Sequence, residues 1–179
     1  MATFDRIQPI RILLIGMMGS GKTTVARELS GRTSWPAVDN DELVRRLTGR
    51  EAAAIAAEDG EDALHDVEAR ALAEALERTP PLVVGVAGAM ADREDLRELL
   101  RRGGRVVWLR ARADTLRSRI GMGSDRRPEA VDLGWLSARA KERDPLYREV
   151  ADQIVDVDDL TPSEIATAIL DFLAGGSAG

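Results

Sequence analysis

One stretch constrains this chain more than any other: Gly16-Met17-Met18-Gly19-Ser20-Gly21-Lys22-Thr23, with Thr24 behind it. It matches G-x-x-x-x-G-K-[ST], the phosphate-binding P-loop. The context agrees with the motif. Ile10 to Ile15 is an almost continuous apolar run, suited to a parallel strand buried on both faces. After the loop, Val25, Ala26 and Leu29 recur at helical spacing, so the loop turns a strand into a helix.

The residue types suit the chemistry. Gly16, Gly19 and Gly21 lack a β-carbon, so the backbone can take the unusual dihedrals that aim several N–H groups inward. Those donors, at the positive end of the new helix, are placed to receive phosphate oxygens. Lys22 can reach β- and γ-phosphates as a mobile point charge, and the Thr23 hydroxyl can ligate Mg²⁺.

The rest of the chain alternates strands and helices. Apolar runs at Trp35–Val38, Leu82–Val86, Arg105–Leu109 and Ile154–Val157 read as strands, and helical periodicity fills the intervals. Helix one is expected to end near Gly31, Asp92 to cap the helix carrying Leu96 and Leu100, and a later helix to stop at Arg143. Thr161-Pro162-Ser163-Glu164 is a capping box with proline at the first helical position. The pattern predicts a three-layer α/β fold of the P-loop NTPase type, with a parallel sheet of about five strands and helices on both faces. At 179 residues it reads as one domain, residues 175–179 forming a loose tail.

Ligands in such sheets sit at the carboxyl ends of the strands. Four segments should therefore converge: the P-loop, Asp39 to Asp41, Ala87-Gly88-Ala89, and the segment after Leu109. One of the two carboxylates, Asp39 or Asp41, near Thr23 would complete a Mg²⁺ site; the other could receive the proton of an attacking hydroxyl. A plain helix N-cap is the competing use for either. The polar, glycine-containing stretch 121–132 is the natural lid, and Arg127, or else Arg126, is placed to stabilise charge developing on a transferred phosphoryl group.

Composition narrows the field. A net charge of -6 and an aromatic content of 3% argue against a nucleic-acid surface. The absence of cysteine removes disulfides, thiolate metal sites and cysteine nucleophiles. No apolar run approaches spanning length and Met1–Pro9 lacks an apolar core, so neither a membrane segment nor a signal peptide is expected. A cytoplasmic monomer is the simplest expectation.

Three stretches together resemble the shikimate kinase family: Ile15 to Thr24, Val38-Asp39-Asn40-Asp41-Glu42, and Asp144 to Asp152 following Arg143. The last is the most specific, since the P-loop is shared by many unrelated proteins. The resemblance covers nearly the whole chain. It implies ATP- and Mg²⁺-dependent phosphorylation of a hydroxyl on a small molecule. It also implies Asp39 as the magnesium-side carboxylate, Asp41 as the substrate-side base, and Arg127 as the lid arginine. Arg143 matches the arginine that helps hold the substrate carboxylate, and Arg119 and Pro162 fall where the family sandwiches adenine. Ser20, Thr23 and Thr24 belong to the ATP side.

Two departures fall on the substrate side. Where the family has Phe-Arg three residues before a glutamate, this chain has Leu64-His65-Asp66-Val67-Glu68, and histidine cannot form a two-pronged fork on a carboxylate. Where the family has three glycines, this chain has Ala87-Gly88-Ala89. His65 and Gly88 remain acceptor-side candidates. The acceptor is then shikimate bound differently, or another hydroxylated small molecule such as gluconate, a cyclitol or a nucleoside. A nucleotide-binding protein without transfer is the alternative of a different class.

Overall fold

The computed structural model describes residues 9–120 and 132–175. Five strands, β1 (Arg11–Ile15), β2 (Ala37–Asp39), β3 (Leu82–Gly85), β4 (Arg105–Arg110) and β5 (Gln153–Asp156), form one sheet in the order β2-β3-β1-β4-β5. Every neighbouring pair is parallel. The expected parallel α/β sheet is therefore present.

Side chains alternate across a strand, and in the central strand both sets are buried. Leu13 and Ile15 point into one core with Val84, Val106 and Trp108; Ile12 and Leu14 point into the other with Val83, Val107 and Leu109. The second core is closed by α1 (Lys22–Thr33) and α8 (Pro162–Gly175) through Val25, Leu29, Ile165 and Ile169. The first is covered by α2 (Asn40–Thr48), α3 (Ala52–Asp59), α4 (Glu61–Glu77), α5 (Glu94–Gly103), α6 (Ala113–Ile120) and α7 (Leu133–Val150). Three layers result.

Three sequence expectations need correction. Helix α1 runs through Gly31 to Thr33 and ends at Ser34, which takes a left-handed φ of 60°. Asp92 does not cap α5: it closes a 3₁₀ turn, Gly88–Asp92, and Arg93 stands at the N-cap without a side-chain cap bond. Helix α7 does not stop at Arg143. It continues over Pro145 to Val150, because Tyr147 and Val150 beyond the proline are buried in the core and hold the last turns in place. The capping box at Thr161 is formed as read, with Glu164 accepting from the Thr161 amide at 2.8 Å.

The expected lid, about 121–132 with Arg126 and Arg127, lies outside the described residues except for Asp132, which caps α7 by accepting from the Trp135 amide at 2.7 Å.

Candidate active site

The strand order places β1 at the point where the chain first goes to one side of the sheet and later to the other, which is where ligands of such sheets bind. A cavity of about 710 Å³ opens there. It is walled by the P-loop and the first turn of α1, by Asp39 to Asp41, by Gly85 to Ala89, and by single residues from α3, α4, α6 and α7.

The P-loop has the dihedrals its glycines permit, with φ of 144°, 84° and 95° at Gly16, Gly19 and Gly21. Gly16 is required twice over, because a β-carbon there would stand 2.6 Å from the Leu109 carbonyl. The loop thus lies directly on the end of β4. Lys22 curls inward, donating from Nζ to the carbonyls of Gly16 at 2.9 Å and Met17 at 3.1 Å. Gly19, Gly21, Lys22, Thr23 and Thr24 all line the cavity, whereas Ser20 is wholly buried beneath it.

Asp39 ends β2 and does two jobs. Its Oδ1 accepts from the Asp41 amide at 3.0 Å, capping α2, and its Oδ2 accepts from the Thr23 hydroxyl at 2.5 Å. The cap and the phosphate-side role are not alternatives, because a carboxylate has lone pairs for both. Asp41 lies in the first turn of α2, is exposed, and lines the cavity. The helix begins between the two residues, so their carboxylates diverge toward different parts of the same space. Thr23 and Asp39 offer two hard oxygens side by side, which suits Mg²⁺, an ion that keeps several waters and needs few protein ligands. Among the described residues no cluster of three or more His, Cys, Asp or Glu side chains is arranged to hold a metal alone.

The opposite wall comes from the end of β3 and from α7. Gly88 is tightly enclosed: a β-carbon would meet the Tyr147 hydroxyl at 2.9 Å and the Gly16 carbonyl at 3.1 Å. Tyr147 is fully buried, stacks obliquely on Trp108 with ring centroids 5.6 Å apart, and donates to the Gly88 carbonyl at 3.1 Å. Burial pushes its phenol well above the ordinary value, so it stays protonated and a donor. Arg143, one turn earlier, lines the cavity and forks onto Asp92, Nε to Oδ1 at 2.9 Å and Nη2 to Oδ2 at 2.6 Å.

Not every sequence candidate reaches this space. His65 on α4 is absent from the lining; its nearest carboxylate is Glu61, at 3.6 Å. Pro162 is exposed at the start of α8 and is also absent from the lining. Arg119 does line the cavity, and its Nη2 donates to the Val157 carbonyl at 2.7 Å on the connection leading to α8. Two polar lining residues carried no site assignment from sequence: Asn40, and Glu68, which is 2% exposed and accepts from Asn40 Nδ2 at 3.2 Å. A buried glutamate three residues past His65 on a helix facing the cavity was the available signal.

A family model described as shikimate kinase matches residues 18–174. A shikimate kinase of Symbiobacterium thermophilum is 38% identical over 168 residues, covering 92% of this chain and 96% of that protein. One from Oleidesulfovibrio alaskensis is 40% identical over 151 residues, covering 82% of this chain and 87% of that protein. Among solved structures, the shikimate kinase of Acinetobacter baumannii in complex with shikimate superposes with a TM-score of 0.89 at 28% identity, covering 98% of both chains.

Proposed function

Because this chain belongs to the shikimate kinase family, we propose that it transfers the γ-phosphoryl group of ATP to a ring hydroxyl of a small hydroxylated acceptor, in the manner of a shikimate kinase; shikimate kept as acceptor would give 3-phosphoshikimate. The observation that carries this reading is the single cavity into which Lys22, the Thr23–Asp39 pair, Asp41 and Gly88 all face. Phosphoryl transfer needs mainly positioning and charge stabilisation, and these residues supply both.

The P-loop amides and Lys22 hold the β- and γ-phosphates, with Gly16 setting the loop's curvature and Thr24 flanking it. Arg119, beside the connection that leads to Pro162, flanks the base. Mg²⁺, held by Thr23 and Asp39, would neutralise charge on the phosphate oxygens. The acceptor lies over Gly88, within reach of Asp41 and Arg143. Its hydroxyl oxygen forms the new bond to the γ-phosphorus as the bond from that phosphorus to the β–γ bridging oxygen breaks. The hydroxyl proton passes to Asp41, and ADP leaves. Arg127, from the proposed lid over about 121–132, adds positive charge to the transferring group. One domain suffices for this chemistry, and a cytoplasmic monomer is its simplest setting; among the described residues no helix is long and apolar enough to cross a membrane.

A coupled assay of ADP release with Mg²⁺, ATP and a panel of hydroxylated acids and cyclitols tests the reading. Acceptor-dependent turnover that disappears in Lys22→Ala is expected. Absence of ATP or ADP binding by calorimetry, or full turnover in Lys22→Ala, overturns it.

A further inference from the structure

We propose that Arg97, which is absent from the cavity lining, is a positioning residue for the acceptor wall: it fixes the turn from which Asp92 holds Arg143. The inference rests on the phosphotransfer reading above and extends it to a side chain that no acceptor touches.

Arg143 is the cation this wall offers an acceptor, and most of its hydrogen-bonding capacity is spent on the protein. A guanidinium carries five N–H groups. Nε and Nη2 each give one to the Asp92 carboxylate, at 2.9 and 2.6 Å, and another goes to the Tyr147 hydroxyl. Two are left for a ligand in the cavity that Arg143 lines, and their direction is set by whatever grips the other three. Asp92 is itself outside the lining, so it acts on an acceptor only through Arg143.

That grip is as firm as the turn behind it. Gly88–Asp92 is a single 3₁₀ stretch, and the last carbonyls of such a stretch have no helical partner of their own. Ala91 is 1% exposed, so its carbonyl has little access to water. Arg97 on α5 answers both needs, donating from Nη1 to the Ala91 carbonyl at 2.9 Å and to the Asp92 carbonyl at 3.4 Å. The Arg97 side chain is only 12% exposed, and a guanidinium so enclosed needs a fixed counter-charge. Glu149 on α7 supplies it, with Oε2 3.1 Å from Arg97 Nε, while its Oε1 pairs with Arg101 at 2.7 Å. The turn is thus held at Gly88 by Tyr147, and at Asp92 by Arg143 through the carboxylate and by Arg97 through the backbone. Without Arg97 the Asp92 end shifts while the Gly88 end stays pinned, and Arg143 turns with it. The phosphate loop, held by its own contacts, keeps its shape.

Steady-state kinetics with shikimate and Mg²⁺–ATP test this, beside calorimetry of ATP binding and thermal unfolding. Arg97→Met should raise KM for shikimate about tenfold or more, with kcat and ATP affinity each within about threefold of native. A role in stability alone would lower the melting temperature and leave that KM unmoved. A KM within about threefold of native in folded Arg97→Met, or a matching loss of ATP affinity, overturns the proposal. Arg97→Lys keeps the charge and one carbonyl bond, is the safer variant for folding, and should raise KM by about threefold or more. Asp92→Asn should raise it about tenfold, and adding Arg97→Lys to Asp92→Asn should raise it no further. Effects that multiply overturn the route through Asp92. Failure of the underlying reading looks different: the native protein then binds ATP and phosphorylates no hydroxylated ring, whereas native turnover of shikimate with an indifferent Arg97 sinks this inference alone.

Discussion

The Tyr147 hydroxyl donates to the Gly88 carbonyl across 3.1 Å, tying the last turn of α7 to the turn after β3 that lines the cavity. The same hydroxyl lies 3.9 Å from Met17 Sδ in the P-loop. One buried phenol thus touches both halves of the site. Tyr147→Phe should cost about 1–3 kcal/mol, since it leaves a buried carbonyl without its donor. Chemical denaturation measures that loss, and KM for the acceptor should rise while nucleotide affinity stays the same.

Tyr147 also gives a pH dependence. It is the chain's only tyrosine, so tyrosinate absorbance reports on it alone. Its folded pKa is raised by burial, whereas the unfolded phenol ionises near pH 10. Above that pH the unfolded chain loses a proton that the folded chain keeps, so stability is whole below about pH 10 and declines as pH rises further. A native sample at about pH 11 should show no tyrosinate until it is unfolded.

Gly88→Ala tests the enclosure from the other side. The added β-carbon would lie 2.9 Å from the Tyr147 hydroxyl and 3.1 Å from the Gly16 carbonyl, so something must move. A stability loss of about 1–3 kcal/mol is expected from overpacking. A fall in kcat/KM of about tenfold or more should accompany it, because the shift reaches the phosphate loop.

Asp39 separates its two jobs by substitution. Asp39→Asn keeps an oxygen for the α2 cap and should change stability by less than about 0.5 kcal/mol. It removes the negative charge beside Thr23, and turnover should fall about a hundredfold. Asp39→Ala should lose the cap as well, a further cost of about 1 kcal/mol. Thermal unfolding and steady-state kinetics on the two variants check this.

Asp41→Asn should lower kcat about a hundredfold or more, the usual worth of a positioned base, with ATP affinity unchanged by calorimetry. Unchanged turnover would remove Asp41 from the proton's path.

Much of this molecule is legible in its sequence for a local reason. The β1 strand, the P-loop and the first turn of α1 are contiguous, so motif and flanking periodicity carry them together. The carboxyl-end rule then brings Asp39, Asp41 and Gly88 to the same space without knowledge of any contact. What stayed hidden depends on partners distant in sequence. Asp92 reads as a helix cap, because nothing local reveals Arg143, 51 residues further on. The last helix before β5 reads as stopping at Arg143, because the burial of Tyr147 and Val150 that carries it past Pro145 belongs to tertiary packing. Glu68 is marked in sequence only as the glutamate three residues past His65, and its partner Asn40, 28 residues earlier, emerges only in the fold.

The position of Lys22 has a consequence for any affinity measured at this loop. Its ammonium rests on the carbonyls of Gly16 and Met17, so an arriving triphosphate does not find a solvated cation waiting. Binding exchanges one set of partners for another, and a titration reports only the difference. A weak apparent constant for ATP would therefore understate the grip of the lysine on phosphate, because part of that grip is spent on releasing the loop from itself.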